Sequence, residues 1–135
     1  MEKILWGEGF SVGVQVLDAQ HKQIITIINT LLEMNDTQSG SEIVSETLTK
    51  MNQYAAEHFN KEEQYMLDYG YPEYSLQKKQ HQEFKRKIVD FCMGAMVHKT
   101  NVPGEMFTYL KSWWTNHILQ EDMKYKMFFN EKGLK

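Results

Sequence analysis

Apolar residues recur at helical spacing in four stretches of this chain, with short polar, glycine- or proline-bearing breaks between them. In the first stretch Ile24, Ile25, Ile28, Leu31 and Leu32 share one stripe. Asp18 is its expected N-cap. It should close near Asn35, where Asn35-Asp36-Thr37-Gln38-Ser39-Gly40 is turn chemistry. Ser41 should cap a second helix whose inner stripe holds Val44, Leu48, Met51 and Tyr54, and Gly70 should stop it. The third runs from about Pro72 to about His98, with Ile88, Phe91 and Cys92 on its inner face. Residues 99–104, which include Pro103 and Gly104, form the next break. The fourth carries Phe107, Leu110, Trp113, Trp114 and His117 on one stripe, and a separate short helix is expected over residues 123–129. Ahead of the first helix, Gly7, Gly9 and Gly13 interrupt the pattern and predict an extended arm over residues 1–17.

Four amphipathic helices joined by short connections predict an all-α fold, an antiparallel up-down-up-down four-helix bundle with an N-terminal arm and a short C-terminal helix. The chain of 135 residues reads as one domain, with the bundle over 18–130 and a solvated tail over 131–135.

Composition narrows the function. A net charge of -3 offers no basic field for nucleic acid or for an anionic membrane surface. No stretch approaches the roughly 20 apolar residues of a membrane span, and Met1-Glu2-Lys3-Ile4-Leu5-Trp6 is not a signal peptide. A cytoplasmic protein is expected. The one cysteine, Cys92, lies between Phe91 and Met93 and reads as a small core residue. The nine methionines, Met51, Met66, Met93, Met106 and Met123 among them, read as flexible core fillers. Lys78-Lys79 and Lys85-Arg86-Lys87 belong on a solvent face. No glycine-rich phosphate loop, serine elbow or CxxC is present.

The histidines carry the chemistry. His21, His58, His81 and His117 fall one to each helix at positions compatible with an interior face, whereas His98 falls at a helix end and is assigned to solvent. Glu62 follows His58 by four residues and projects with it. Asp122 follows His117 by five, which aligns only if the helix breaks between them. Imidazole and carboxylate together suit a borderline transition metal, and bundle cores assemble such sites from several helices. Burying these groups without a metal would cost heavily in desolvation. Two carboxylates among four imidazoles suit two metals bridged by a carboxylate, and serve one metal equally well; composition does not decide.

These residues sit in motifs that resemble the hemerythrins, most closely the bacterial single-domain members. The arm Trp6-Gly7 with Phe10-Ser11-Val12-Gly13-Val14, then Asp18-Ala19-Gln20-His21-Lys22, is similar to the family's N-terminal motif. His58-Phe59-Asn60-Lys61-Glu62-Glu63 resembles its His-x-x-x-Glu, Gly70-Tyr71-Pro72 with His81 its third helix, and His117 to Asp122 its closing His-x-x-x-x-Asp. The resemblance implies two non-haem iron ions with a bridging oxo or hydroxo group. His21 and His58 would hold the iron that meets dioxygen, His81 and His117 the other, and Glu62 and Asp122 would bridge them.

The implied function is reversible binding of dioxygen, or of small anions such as azide, for storage, delivery or sensing, and not catalysis. A di-iron oxidase or peroxidase and an iron scavenger are the alternatives. A sensor or delivery role would call for a separate signalling or oxygen-using protein as partner. Two positions depart from the family pattern. Gln77 stands where the third helix should carry another histidine ligand, so the iron at His81 and His117 is expected to be the labile one. Trp114 stands where the family has a leucine-like residue, and either crowds the ligand pocket or packs beside Trp113.

Overall fold

The computed structural model describes residues 3–33, 42–97 and 101–135, apart from the side chain of Ile43. It is an antiparallel up-down-up-down four-helix bundle. Helix α1 is Gln15–Glu33. Helix α2 covers residues 42–69 as Glu42–Tyr54, a π-helical turn Ala55–Phe59 and Asn60–Tyr69. Helix α3 is Tyr74–Met96. Helix α4 covers residues 102–131 as Val102–Ser112, a π-helical stretch Trp113–Asp122 and Met123–Glu131. α1 packs on α2 and α4, and α3 packs on the same two. The expected Ser41 cap, the turn over 35–40 and His98 lie outside the described residues.

Where helices start and stop follows local chemistry. Gly70 adopts φ +71° and closes α2: its N–H donates to the Leu67 carbonyl and the Tyr71 N–H to the Met66 carbonyl at 2.8 Å. This double return of amides to the last turn is the Schellman arrangement, and it needs a left-handed residue. α4 starts earlier than expected. Pro103 and Gly104 lie in its first turn rather than in a break, because the first turn needs no amide from proline. Its C-terminal part is no separate helix either: α4 runs unbroken to Glu131.

Asp18 is not an N-cap. α1 opens three residues before it, and its carboxylate accepts the Val12 backbone N–H at 2.8 Å and the Ser11 hydroxyl at 2.6 Å. An acid in the first turn has reached back to pin the arm, as the carboxylate of a capping box does. The arm holds one 3-10 turn, Glu8–Phe10, and lies on α1. Asn29 pairs with both backbone groups of Ile4 at 2.9 Å, Lys3 pairs with Glu33, and the Lys22 ammonium sits over the Trp6 ring. Gly13 has φ +77°, and a Cβ there would meet the Asn130 side chain at 2.7 Å. Gly13→Ala should therefore lower stability by about 1–2 kcal/mol, read from the urea midpoint. An unshifted midpoint would mean that the arm is not held in this way.

Apolar burial forms two clusters. The larger includes Ile24, Ile28, Met51, Phe59, Phe84, Leu110 and Ile118. The smaller is Val12, Val14, Leu17, Met66, Tyr71, Tyr125 and Phe129. On every helix the residues between the two are the polar ones: His21 on α1, Glu62 on α2, Gln77 and His81 on α3, and Asp122 on α4, all buried. Met51, Met66 and Met106 fill core as expected, but Met93 does not. It is 62% exposed and lies on an outer face with Val89 and Met96 of α3 and with Val97 just past its end. No helix among the described residues is long and apolar enough to cross a membrane.

Candidate metal centre

The polar layer draws one or two side chains from each helix. Two of its segments are π-helical, with amides reaching back one residue further than in an α-helix. His58 lies in the first π segment, and His117 and Asp122 lie in the second. The five-residue spacing of His117 and Asp122 is thus accommodated by a widened helix, not by a break. The His117 Nε2 lies 3.1 Å from Asp122 Oδ1.

The layer's distances are short. His58 Nε2 is 3.0 Å from Glu62 Oε1, and His81 Nε2 is 3.3 Å from the same oxygen. His21 Nε2 is 3.2 Å from Asp122 Oδ2 and 3.9 Å from Glu62 Oε2. Yet these atoms are not aligned as hydrogen bonds. Among the described residues, ten buried side-chain polar atoms lack a partner, and eight belong to His21, His58, Glu62, Gln77, His81, His117 and Asp122. Each orphan costs on the order of 1–3 kcal/mol if nothing satisfies it.

The far sides of the rings are mostly satisfied. Nδ1 of His58 meets Gln20 Oε1 at 2.7 Å, that of His81 meets Glu63 Oε2 at 2.8 Å, and that of His117 meets Gln80 Oε1 at 2.6 Å. Acceptors at Nδ1 place the proton there and leave the Nε2 lone pair facing inward, the arrangement metal-ligating imidazoles use. Aromatic rings fix the ring planes. Tyr54 stacks on His58, Phe59 on His81 at 3.9 Å, and Trp113 on His117 at 3.9 Å. The Tyr125 hydroxyl donates to Glu62 Oε2 at 2.5 Å. Trp114 places its ring edge-on against Phe10 of the arm; the tryptophan stacked on a site histidine is Trp113.

Sequence reasoning overlooked the supporting residues Gln20, Glu63, Gln80 and Tyr125. A signal exists for two of them. Gln20-His21 and Gln80-His81 are identical dipeptides, and in each the glutamine serves the histidine of a neighbouring helix.

Burial works against charge throughout the layer, but the neighbours decide. Burial raises the Glu62 carboxyl, and His58 and His81 nevertheless hold it well below the usual carboxylate range. Burial and Glu62 both push Asp122 up, and His117 and His21 outweigh them and keep it low. Burial lowers His81, but Glu62 and Glu63 raise it to about 9. His21 is likewise raised against its burial by Asp122 and Glu62. His58 is lowered by burial, with the charge of His21 adding to it. The layer therefore holds two carboxylates as anions that require positive charge beside them.

Two groups of donor atoms can each surround an ion: His21, His58, Glu62 and Asp122, and then Glu62, His81 and His117, with the donors of each group within 4.8 Å of one another. Imidazole nitrogen and carboxylate oxygen match a borderline divalent metal. Coordination would also satisfy the orphaned Nε2 and oxygen atoms, so the residues fit a metal. Gln77 is buried in the same layer. Its amide nitrogen donates to Asp122 Oδ1 at 3.0 Å, and its Oε1 finds no partner.

Residues 12–129 match the family model described as the hemerythrin HHE cation binding domain. The chain is 32% identical over 127 residues to bacteriohemerythrin of Pseudomonas paraeruginosa, covering 93% of this chain and 80% of that one. It is 34% identical over 125 residues to myohemerythrin of Theromyzon tessulatum, covering 93% and 92%. A crystal structure of a hemerythrin carrying a leucine-to-tyrosine mutation shares the fold, with a TM-score of 0.74 at 24% identity over 94% of this chain and 97% of that one. A four-helix bundle with a buried layer of metal-competent imidazoles and carboxylates, matched over nearly its whole length, makes this chain a member of the hemerythrin family.

Proposed function

We propose that this chain holds two non-haem iron ions in the polar layer and binds dioxygen, or a small anion such as azide, reversibly at that pair. One observation carries the reading: each carboxylate lies between two histidines from different groups. Glu62 Oε1 stands between His58 and His81, and Asp122 between His21 and His117. In this reading His21 and His58 would hold one iron, His81 and His117 the other, and Glu62 and Asp122 would bridge them. An iron pair supplies the two electrons that reversible dioxygen binding exchanges.

The protein's own contribution is order and exclusion. Glutamine and glutamate oxygens hold the Nδ1 protons, so three imidazoles need no rearrangement to bind. Tyr125 holds the outer oxygen of Glu62 and fixes its carboxylate plane. Stacked Tyr54, Phe59 and Trp113 keep bulk water from the histidines, which favours return of the bound molecule over its turnover. A binding protein is therefore a better match than an oxidase.

The test is anaerobic reconstitution with ferrous iron followed by air. A visible band that disappears under argon and returns with air is expected. A band that bleaches irreversibly with release of peroxide would refute reversible binding and favour the oxidase. Iron should also raise the melting midpoint, because it binds the native layer alone. Melting under argon with and without ferrous iron checks this, and coincident curves would argue against a core metal site.

A further inference from the structure

Between α3 and α4 the surface opens into a polar pocket of about 420 Å³. Glu83 and Asn116 are exposed at its rim, with Gln80 and Glu121 half-buried below them. Glu121 pairs with Lys124 at 3.1 Å. Trp113 and His117 are the buried residues in its lining and form its floor. His117 is thus a wall of this pocket and a member of the Glu62–His81–His117 donor group at the same time. No other member of either donor group lines the pocket. His117 is also the most exposed of the site histidines, at 4% against 0% for His21, His58 and His81.

The groups that hold His117 border the pocket as well. Gln80 accepts its Nδ1 proton, and Trp113 carries its ring. A motion that releases one hydrogen bond and slides one ring along a stacked face would turn the imidazole outward. His81 is held in the same way by Phe59 and Glu63, and His58 by Tyr54 and Gln20, but neither lines the pocket.

We propose that this pocket is the port through which a divalent metal ion enters and leaves the centre, with His117 as the ligand that takes it up and lets it go. The inference rests on the metal-binding reading above. A hydrated cation is drawn to a rim of carboxylate and amide oxygens, which replace part of its water. His117 then offers its Nε2, which has no hydrogen-bond partner in the layer. At this end Gln77 offers an amide oxygen where an imidazole would bind more firmly, so the ion here would be the first to leave.

The experiment uses cobalt(II) as the probe, read by its visible absorption in stopped flow, with release driven by excess chelator. Asn116→Trp fills the pocket mouth without touching a donor. Thr115→Trp puts the same bulk on an exposed neighbour outside the pocket and serves as the control. Asn116→Trp should slow loading and release together by about tenfold, with equal final stoichiometry and equal affinity, while Thr115→Trp matches the parent. Unchanged rates in folded Asn116→Trp would overturn the port. So would slow loading with lowered affinity, because the residue would then be shaping the donor set and not the route. If the parent takes up no cobalt, the metal-binding reading fails instead, and the two failures are distinct.

Discussion

Glu62→Ala should leave the chain able to hold at most one tightly bound iron. Glu62 is fully buried and is the residue common to both donor groups. Its Oε1 faces His58 and His81, and its Oε2 accepts the Tyr125 hydroxyl. Truncation removes a ligand from each group, so neither end keeps its set. It also strands the Tyr125 hydroxyl in an apolar cluster at a cost of about 1–3 kcal/mol. The histidines then lose the anion that balances bound metal, and a buried cation without its partner is costly. Metal analysis after anaerobic loading measures the ratio of iron to protein. Retention of two irons with an unaltered visible spectrum would show that Glu62 does not bridge.

Gln77→His should have the opposite effect, tightening the metal at the His81 end. Gln77 precedes His81 by one helical turn and faces the same layer. Its amide nitrogen is committed to Asp122, which leaves only the carbonyl oxygen to face a metal. An amide oxygen is a neutral and poorer donor to ferrous iron than an imidazole nitrogen. The His81 end accordingly rests on His81, His117 and the two carboxylates, Glu62 and Asp122. A third nitrogen should raise affinity for the second iron by on the order of 10–100-fold, the scale on which changes around a metal site act. Competition with a chelator of known affinity reads this directly. Equal second-iron affinity in the parent and in Gln77→His would make the glutamine a tolerated replacement with no bearing on the site.

Much of this layer was legible before any coordinates, for a physical reason. Helical stripes are set by burial, and burial follows residue type. Ile24, Leu48, Ile88 and Leu110 therefore announce their helices, and four histidines on four inner faces announce a shared interior. The parts that were illegible depend on contacts between helices or on departures from regular geometry. The pairing of Glu63 with His81 spans two helices and has no spacing to betray it. The π-helical stretch over Trp113–Asp122 is a change of period that apolar spacing cannot register, so a continuous helix was read as a break. Trp113 and Trp114 are adjacent on one stripe, and only packing shows that one stacks on His117 while the other meets the arm. Asp18 was misplaced because an acid in a first turn and an acid at a cap look alike in sequence.

The polar layer divides the interior. Apolar attraction has no direction and extends only as far as the apolar surface does, so it binds each cluster to itself but does little across the band between them. Cohesion from one end of the bundle to the other falls to bonds with direction: the Gln77–Asp122 and Tyr125–Glu62 hydrogen bonds, the cross-helix imidazole pairs, and whatever those imidazoles and carboxylates jointly grip. The molecule is thus built as two stacked blocks with a joint, and the joint is the candidate metal centre. Occupancy there sets how far the two blocks behave as a single body, so a small ligand held by a few atoms can alter the mechanical unity of the whole chain.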